Sequence, residues 1–269
     1  MSFTKHFIIK PGGNVRLSQF DPDDTPECKD KSEAEAQLAR NVERLADLQY
    51  RFYAESKRAL LVVIQAMDAA GKDGTIRHVM SGLNPQSCRV TSFKAPSTLE
   101  RSHDFLWRIH HAVPARGEIG IFNRSHYEDV LIVRVRNLVP KSVWTKRYDH
   151  INDFERMLTD HGVVIRKFFL HISKEEQRKR LQQRLDDPRK NWKFNPEDIE
   201  ERQRWGNYKR AYEEAISRCN AKCAPWFVIP ANKKWFRNLA VSAILVETLE
   251  SLDPQFPKPH PGLVKVRVR

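Results

Sequence analysis

Apolar positions along the chain fall into two alternating patterns. Leu38, Val42, Leu45, Leu48 and Phe52 recur at helical spacing and predict an amphipathic helix over 32–57, with Ser32 and Glu35 as its capping box. Leu60-Leu61-Val62-Val63-Ile64 is a continuous apolar run, the signature of a strand buried on both faces. Further strands are predicted at 89–93, 118–122, 163–172 and 226–229. Between them lie helices starting at Ser97 (to about His111), Ser142 (to about His161), Ser173 and Asn195-Pro196, and a last helix over 235–252. Strand and helix alternate about five times, which predicts a parallel sheet covered on both faces. Ligands of such sheets bind at the carboxyl ends of the strands. Residues 1–31, with Pro11-Gly12-Gly13, Asp21-Pro22 and Thr25-Pro26, read as an irregular arm. The main domain is then 32–252 and a tail occupies 253–269.

The chain has 269 residues, long enough to bury a core of its own. No apolar run reaches the roughly 18–20 residues of a membrane-spanning helix, and no secretory signal is visible. Cys28, Cys88, Cys219 and Cys223 lack zinc spacing, and a reducing, cytoplasmic setting is expected. The formal charge of +13 is compatible with nucleic acid, an anionic surface or a phosphate-rich substrate. No nucleic-acid recognition motif is present, so nucleic acid is not an expected partner.

The segment after the first strand narrows the chemistry. Ala66-Met67-Asp68-Ala69-Ala70-Gly71-Lys72-Asp73-Gly74-Thr75 is a degenerate Walker A loop between a strand and a helix. Backbone N–H groups at a helix N-terminus attract phosphate, and Lys72 adds a full charge. Ala66 replaces the usual first Gly, and Asp73 stands where Ser or Thr normally holds magnesium. Asp68 is the carboxylate inside the loop that offers a magnesium site instead.

The third strand runs into Asn123-Arg124-Ser125-His126-Tyr127-Glu128-Asp129. Asn123 can orient a phosphate oxygen, Arg124 can neutralise a transferring phosphoryl group, and Glu128 and Asp129 add carboxylates. Between residues 178 and 210 stand 11 basic against six acidic residues, broken at Pro188 and restarted at Pro196. That charged helical hairpin, about 178–205, suits a lid over a phosphate site. Its Arg180, Arg189 and Lys193, with Arg77 after the loop, are the expected track for a polyanion, together with loop residues Ala69 to Gly74. Lys94, Arg101, Asp104, Arg108 and Arg124 are the expected contacts of a nucleotide entering from the other side.

These three motifs (the loop with its internal Asp68, Phe122-Asn123-Arg124-Ser125-x-Tyr127, and Asp187-Pro188-x-x-x-Trp192-Lys193) together resemble the polyphosphate kinase 2 family, over about 32–252. The resemblance implies a three-layer α/β/α P-loop kinase fold with a five-stranded parallel sheet and a helical lid. It implies reversible transfer of the terminal phosphoryl group of inorganic polyphosphate to a nucleotide, with Mg2+ or Mn2+. By position, Lys72 would hold the transferred phosphate, Asp68 and Glu128 would hold the metal, and Arg124 and Arg184 would stabilise the transition state. Asn123 occupies the Walker B position, where some members have Asp. Glu128 resembles the acid of one-domain members that accept AMP as well as ADP, so both nucleotides are expected acceptors, and a homo-oligomer, dimer or tetramer, is expected. An ATP-dependent nucleoside monophosphate kinase is the other reading that the loop allows.

Overall fold

The computed structural model describes residues 2–28, 30–262 and 267. In chain order the helices and strands are α1 (Phe3–Phe7), α2 (Lys31–Glu55), β1 (Ala59–Ala66), α3 (Lys72–Val79), β2 (Cys88–Ser92), α4 (Thr98–Arg101), α5 (Trp107–His110), β3 (Ile119–Asn123), α6 (Ile132–Val135), α7 (Lys141–Asp160), β4 (Val163–His171), α8 (Lys174–Asp186), α9 (Glu197–Gln203), α10 (Trp205–Arg218), β5 (Trp226–Pro230) and α11 (Lys234–Leu252). The five strands form one parallel sheet in the order β2-β3-β1-β4-β5. Every residue of β1 and β5 is buried, which is why both are apolar rather than alternating, except for Gln65 near the end of β1. β2 lies at an edge and is mostly exposed.

From β1 the chain moves to the far edge and back, then crosses to β4 and β5. Right-handed crossovers therefore place α3 on one face and α7 on the other. α2 and α11 pack against each other on the α3 face, and α7 packs on β4. The order reverses around β1, so a crevice opens where the ends of β1 and β3 diverge.

Three boundaries differ from the sequence reading. Helix α2 is capped by Asp30, whose carboxylate accepts the Glu33 N–H (2.9 Å), not by Ser32. A carboxylate at the positive helix end is the stronger cap, and Ser32 donates to it (2.6 Å). The helix expected from Ser97 to His111 is two short ones. The Ser97–Glu100 capping box forms, but the Ser102 hydroxyl and the Asp104 carboxylate bond local backbone and interrupt the helix. The arm expected to be irregular holds α1 and buries Phe7, Ile9, Val15 and Leu17 in the common core. It straps the sheet: Val15 and Leu17 N–H donate to Ser217 and Glu213 of α10, and Asn232 N–H donates to the Pro22 carbonyl. Of the expected tail, residues 263–266, 268 and 269 lie outside the described residues.

Candidate active site

The phosphate loop is held from behind by its carbonyls. Ala66 O accepts the Tyr212 hydroxyl (3.0 Å) and Asp68 O accepts the Gln177 amide (3.0 Å). Arg180 donates to Ala69 O (3.2 Å) and Ala70 O (2.8 Å), and Arg237 donates to Ala70 O (3.1 Å). In a planar trans peptide the N–H opposes the C=O. The Ala69 and Gly71 N–H groups, partners of the Asp68 and Ala70 carbonyls, are thus turned toward the opposite side, with the first-turn N–H groups of α3. That is an anion cradle. Gly71 makes it possible: its φ is +103°, and a Cβ there would meet Arg237 Nη1 at 2.1 Å.

Lys72, Asp68, Arg124 and Glu128 converge beside this cradle. Arg124 sits at φ +64°, and its N–H donates to Ile64 O of β1 (3.1 Å), which turns its guanidinium over the loop. It lies 3.8 Å from Asp68. Burial lowers the Lys72 ammonium below its usual range, against the pull of Asp68. Burial likewise raises the Glu128 carboxyl, against Arg124 and Lys72. Burial would lower Arg124 too, but Glu128 and Asp68 outweigh it and raise it. Asn123 donates to Asp73 Oδ1 (2.7 Å), so the amide at the β3 end and the carboxylate of the first α3 turn form a pair.

Two clefts meet here, sharing Asp68, Arg124 and Asp198. One is basic: Lys72, Lys94, Arg184, Lys190, Lys193 and Lys234 line it. The other is lined by Glu128, Ile132, Glu201, Trp205, Tyr208 and Tyr212, with Arg136 bound to Glu201 (2.6 Å) at its wall. The α8–α9 hairpin roofs both, fastened by Arg184 to Asp198 (3.2 Å).

Several expected site residues take other places. Ala70 is buried and its N–H is spent on Met67 O (3.2 Å), so it offers an anion nothing. Arg180 has all five donors engaged, on Glu176 and on the carbonyls of Ala69, Ala70, Ala231 and Asn232. It lines the basic cleft, but its donors are spent on bracing the loop. Arg77 is exposed off the cleft, because helical periodicity turns Gly74 and His78 toward it instead. Arg189 is an exposed partner of Asp187 and does not line the cleft; its neighbour Lys190 does. The expected nucleotide group is brought together only in part: Lys94 and Arg108 line one cleft beside β2, and Arg101 and Asp104 do not line it. Arg108 lies over Phe93 and donates to Lys94 O (2.8 Å), Arg101 reaches only the Thr98 hydroxyl, and Asp104 caps the Leu106 N–H (2.9 Å). Lys94 alone of these four lines the basic cleft. Sequence reading missed Arg237, Lys234 and the Trp205, Tyr208, Tyr212 wall. A charge between Phe236 and Leu239 in an apolar helix was the available signal for Arg237.

The polyphosphate kinase 2 family model matches residues 28–257. The chain belongs to the polyphosphate kinase 2 family. A Meiothermus ruber relative, an "AMP/ADP-polyphosphate phosphotransferase", is 55% identical over 97% of this chain and 98% of its own. An "ADP-polyphosphate phosphotransferase" of Rhodopseudomonas palustris is 48% identical over 96% and 94%. The crystal structure of polyphosphate kinase 2 from Arthrobacter aurescens superimposes with a TM-score of 0.95 at 43% identity, covering 98% of this chain and 95% of that one.

Proposed function

We propose that this chain moves the terminal phosphoryl group of inorganic polyphosphate to AMP and ADP, reversibly. The observation that carries this reading is the pair of unlike clefts meeting at Asp68 and Arg124. The basic cleft gathers Lys190, Lys193 and Lys234 in addition to the loop cation Lys72, a concentration of positive charge suited to a polyanion. The names of the relatives at 55% and 48% identity support the same substrates.

Polyphosphate lies in the basic cleft, its end on the cradle and on Lys72. The nucleotide lies in the second cleft, where Trp205 and Tyr208 offer stacking faces for a base. This replaces the approach by way of Lys94 to Arg108. The acceptor phosphate then points at Arg124 from the side opposite the donor. Phosphoryl transfer asks the protein chiefly for alignment and charge neutralisation. Arg124 neutralises the moving group, and Lys72 holds it. Arg184 reaches the same junction from the hairpin. Glu128, between Lys72 and Arg124, faces the acceptor and favours a monophosphate with its fewer charges.

Magnesium suits the donor set. It is commonly held by one or two carboxylates, with substrate phosphates and water completing its shell. Among the described residues the Asp68 carboxylate accepts no hydrogen bond and comes no nearer to a cation than 3.8 Å, to Arg124, so both oxygens are open to a metal ion. Asp68, with Glu128, would hold the ion, which supplies charge neutralisation at the phosphate oxygens. The test is nucleotide product analysis with AMP or ADP, polyphosphate and magnesium, in the absence of ATP. ADP and ATP should appear. Products formed only when ATP replaces polyphosphate would favour a nucleoside monophosphate kinase.

A further inference from the structure

The core behind the clefts holds charges that phosphoryl transfer does not use. Lys167 lies in the middle of β4, fully buried, among apolar neighbours. Its ammonium donates to Glu155 Oε2 (2.5 Å), the Tyr127 hydroxyl (2.9 Å) and Cys219 O (2.7 Å). The Tyr127 hydroxyl donates to Glu155 Oε1 (2.9 Å), and His126 Nε2 lies 3.3 Å from that oxygen. An ion pair in a dry core seldom outdoes apolar packing, so its position is informative.

Its hydrogen-bond partner Tyr127 is one peptide bond from Glu128. Residues His126–Asp129 form a 3-10 turn. Helix α7 grips it twice: Glu155 takes His126 and Tyr127, and Arg147 donates to both the carbonyl (3.0 Å) and carboxylate (2.9 Å) of Asp129. Arg147 and Glu155 are two helical turns apart and share a face. Three of the four turn residues are thereby tied to the core. Of the four, Glu128 lines the cleft. Upstream, Ser125 Oγ accepts the Tyr127 N–H (3.2 Å) and the Gln65 amide (3.1 Å), linking the turn to the end of β1 and to the left-handed Arg124.

We propose that Tyr127, locked by Lys167 and Glu155, is a positioning residue that sets Glu128 and Arg124 at the junction of the two clefts. It governs the speed of transfer and not the grip on polyphosphate. The proposal rests on the acceptor reading of Glu128 given above. A polar island serving stability alone is the competing view, and the two differ in kinetics.

The experiment compares Tyr127→Phe, Glu128→Gln and the double variant in kcat and KM with AMP and with ADP, well below each melting temperature. Tyr127→Phe should lower kcat about tenfold, the scale of a small misalignment of reacting groups, while KM for polyphosphate stays within about twofold. The double variant should be no slower than Glu128→Gln. An unchanged kcat in Tyr127→Phe, with only the melting temperature lowered, overturns the proposal, as do losses that multiply in the double variant when Glu128→Gln is itself slowed. If Glu128→Gln alone costs nothing with either nucleotide, the acceptor reading of Glu128 fails. A tenfold loss in Tyr127→Phe then still supports anchoring, acting through Arg124. Should Tyr127→Phe not fold, Glu155→Gln serves in its place, since it keeps the shape and removes the charge that orders Tyr127 and Lys167.

Discussion

The floor and the roof of the basic cleft are both rich in cations, yet they use them oppositely. Under the phosphate loop, Arg180 and Arg237 are 5% and 2% exposed and spend their donors on loop carbonyls and on Asn238. In the roof, Arg178, Arg189 and Lys190 sit in exposed pairs with Glu175 and Asp187, and Trp192 is 78% exposed. Exposed pairs contribute little to stability and break readily, whereas a buried guanidinium on several carbonyls is hard to replace. The loop is therefore a fixed cradle, braced by the inner face of α8 through Gln177 and Arg180, while the exposed pairs lie on the outer face of that helix and in the turn that follows it. In a basic protein the number of cations says little about which ones meet the ligand. The number of uncommitted donors decides.

Variants that separate floor from roof make this contrast sharper. Lys72→Ala removes the one loop cation aimed at the transferred group and should lower kcat by about 10²–10³. Among the described residues the one hydrogen bond of its ammonium is a long one to Ala66 O (3.4 Å), so the unfolding midpoint should hardly move. A normal kcat would remove Lys72 from the reaction. Arg180→Ala strands several buried carbonyls and should cost about 3–5 kcal/mol in denaturant unfolding. Arg189→Ala in the roof should leave the unfolding curve unchanged, and equal losses in both would erase the distinction. Lys190→Ala and Lys234→Ala should raise KM for long polyphosphate several-fold, and each should flatten its dependence on log salt by about one charge. A salt-independent KM in the parent would rule out the basic track.

The smallest effect concerns pH at the strap. His171 Nε2 lies 3.1 Å from Phe20 O, and burial lowers its imidazole from 6.5 to about 4. Between about pH 6.5 and 4 the unfolded chain gains a proton that the folded chain refuses, so this group makes stability fall as pH falls. Asp129, raised by burial to about 6, gives the opposite slope below that pH. The readout is thus the difference between parent and His171→Gln. The variant should lose stability less steeply on acidification, and parallel curves would exclude His171 as the sensor.

The chain alone determined the order of strands and helices, the anion cradle after β1 and the concentration of charge near residues 178–210. These are properties of consecutive residues: apolar runs, capping groups and a loop between strand and helix. Tertiary structure decided which cations stay free. Arg180 and Lys190 are equally basic in sequence, but only folding brings the carbonyls of Ala231 and Asn232 onto Arg180 and leaves Lys190 in the cleft with a single exposed pairing to Asp187. The same holds for the second cleft, whose Glu128, Glu201 and Tyr212 come from separate elements, and for Lys167, whose charge inside a β4 otherwise destined for the core had no visible partner until α7 delivered Glu155. Hydrogen-bond commitment depends on distances between remote segments, and spacing along a chain does not contain them.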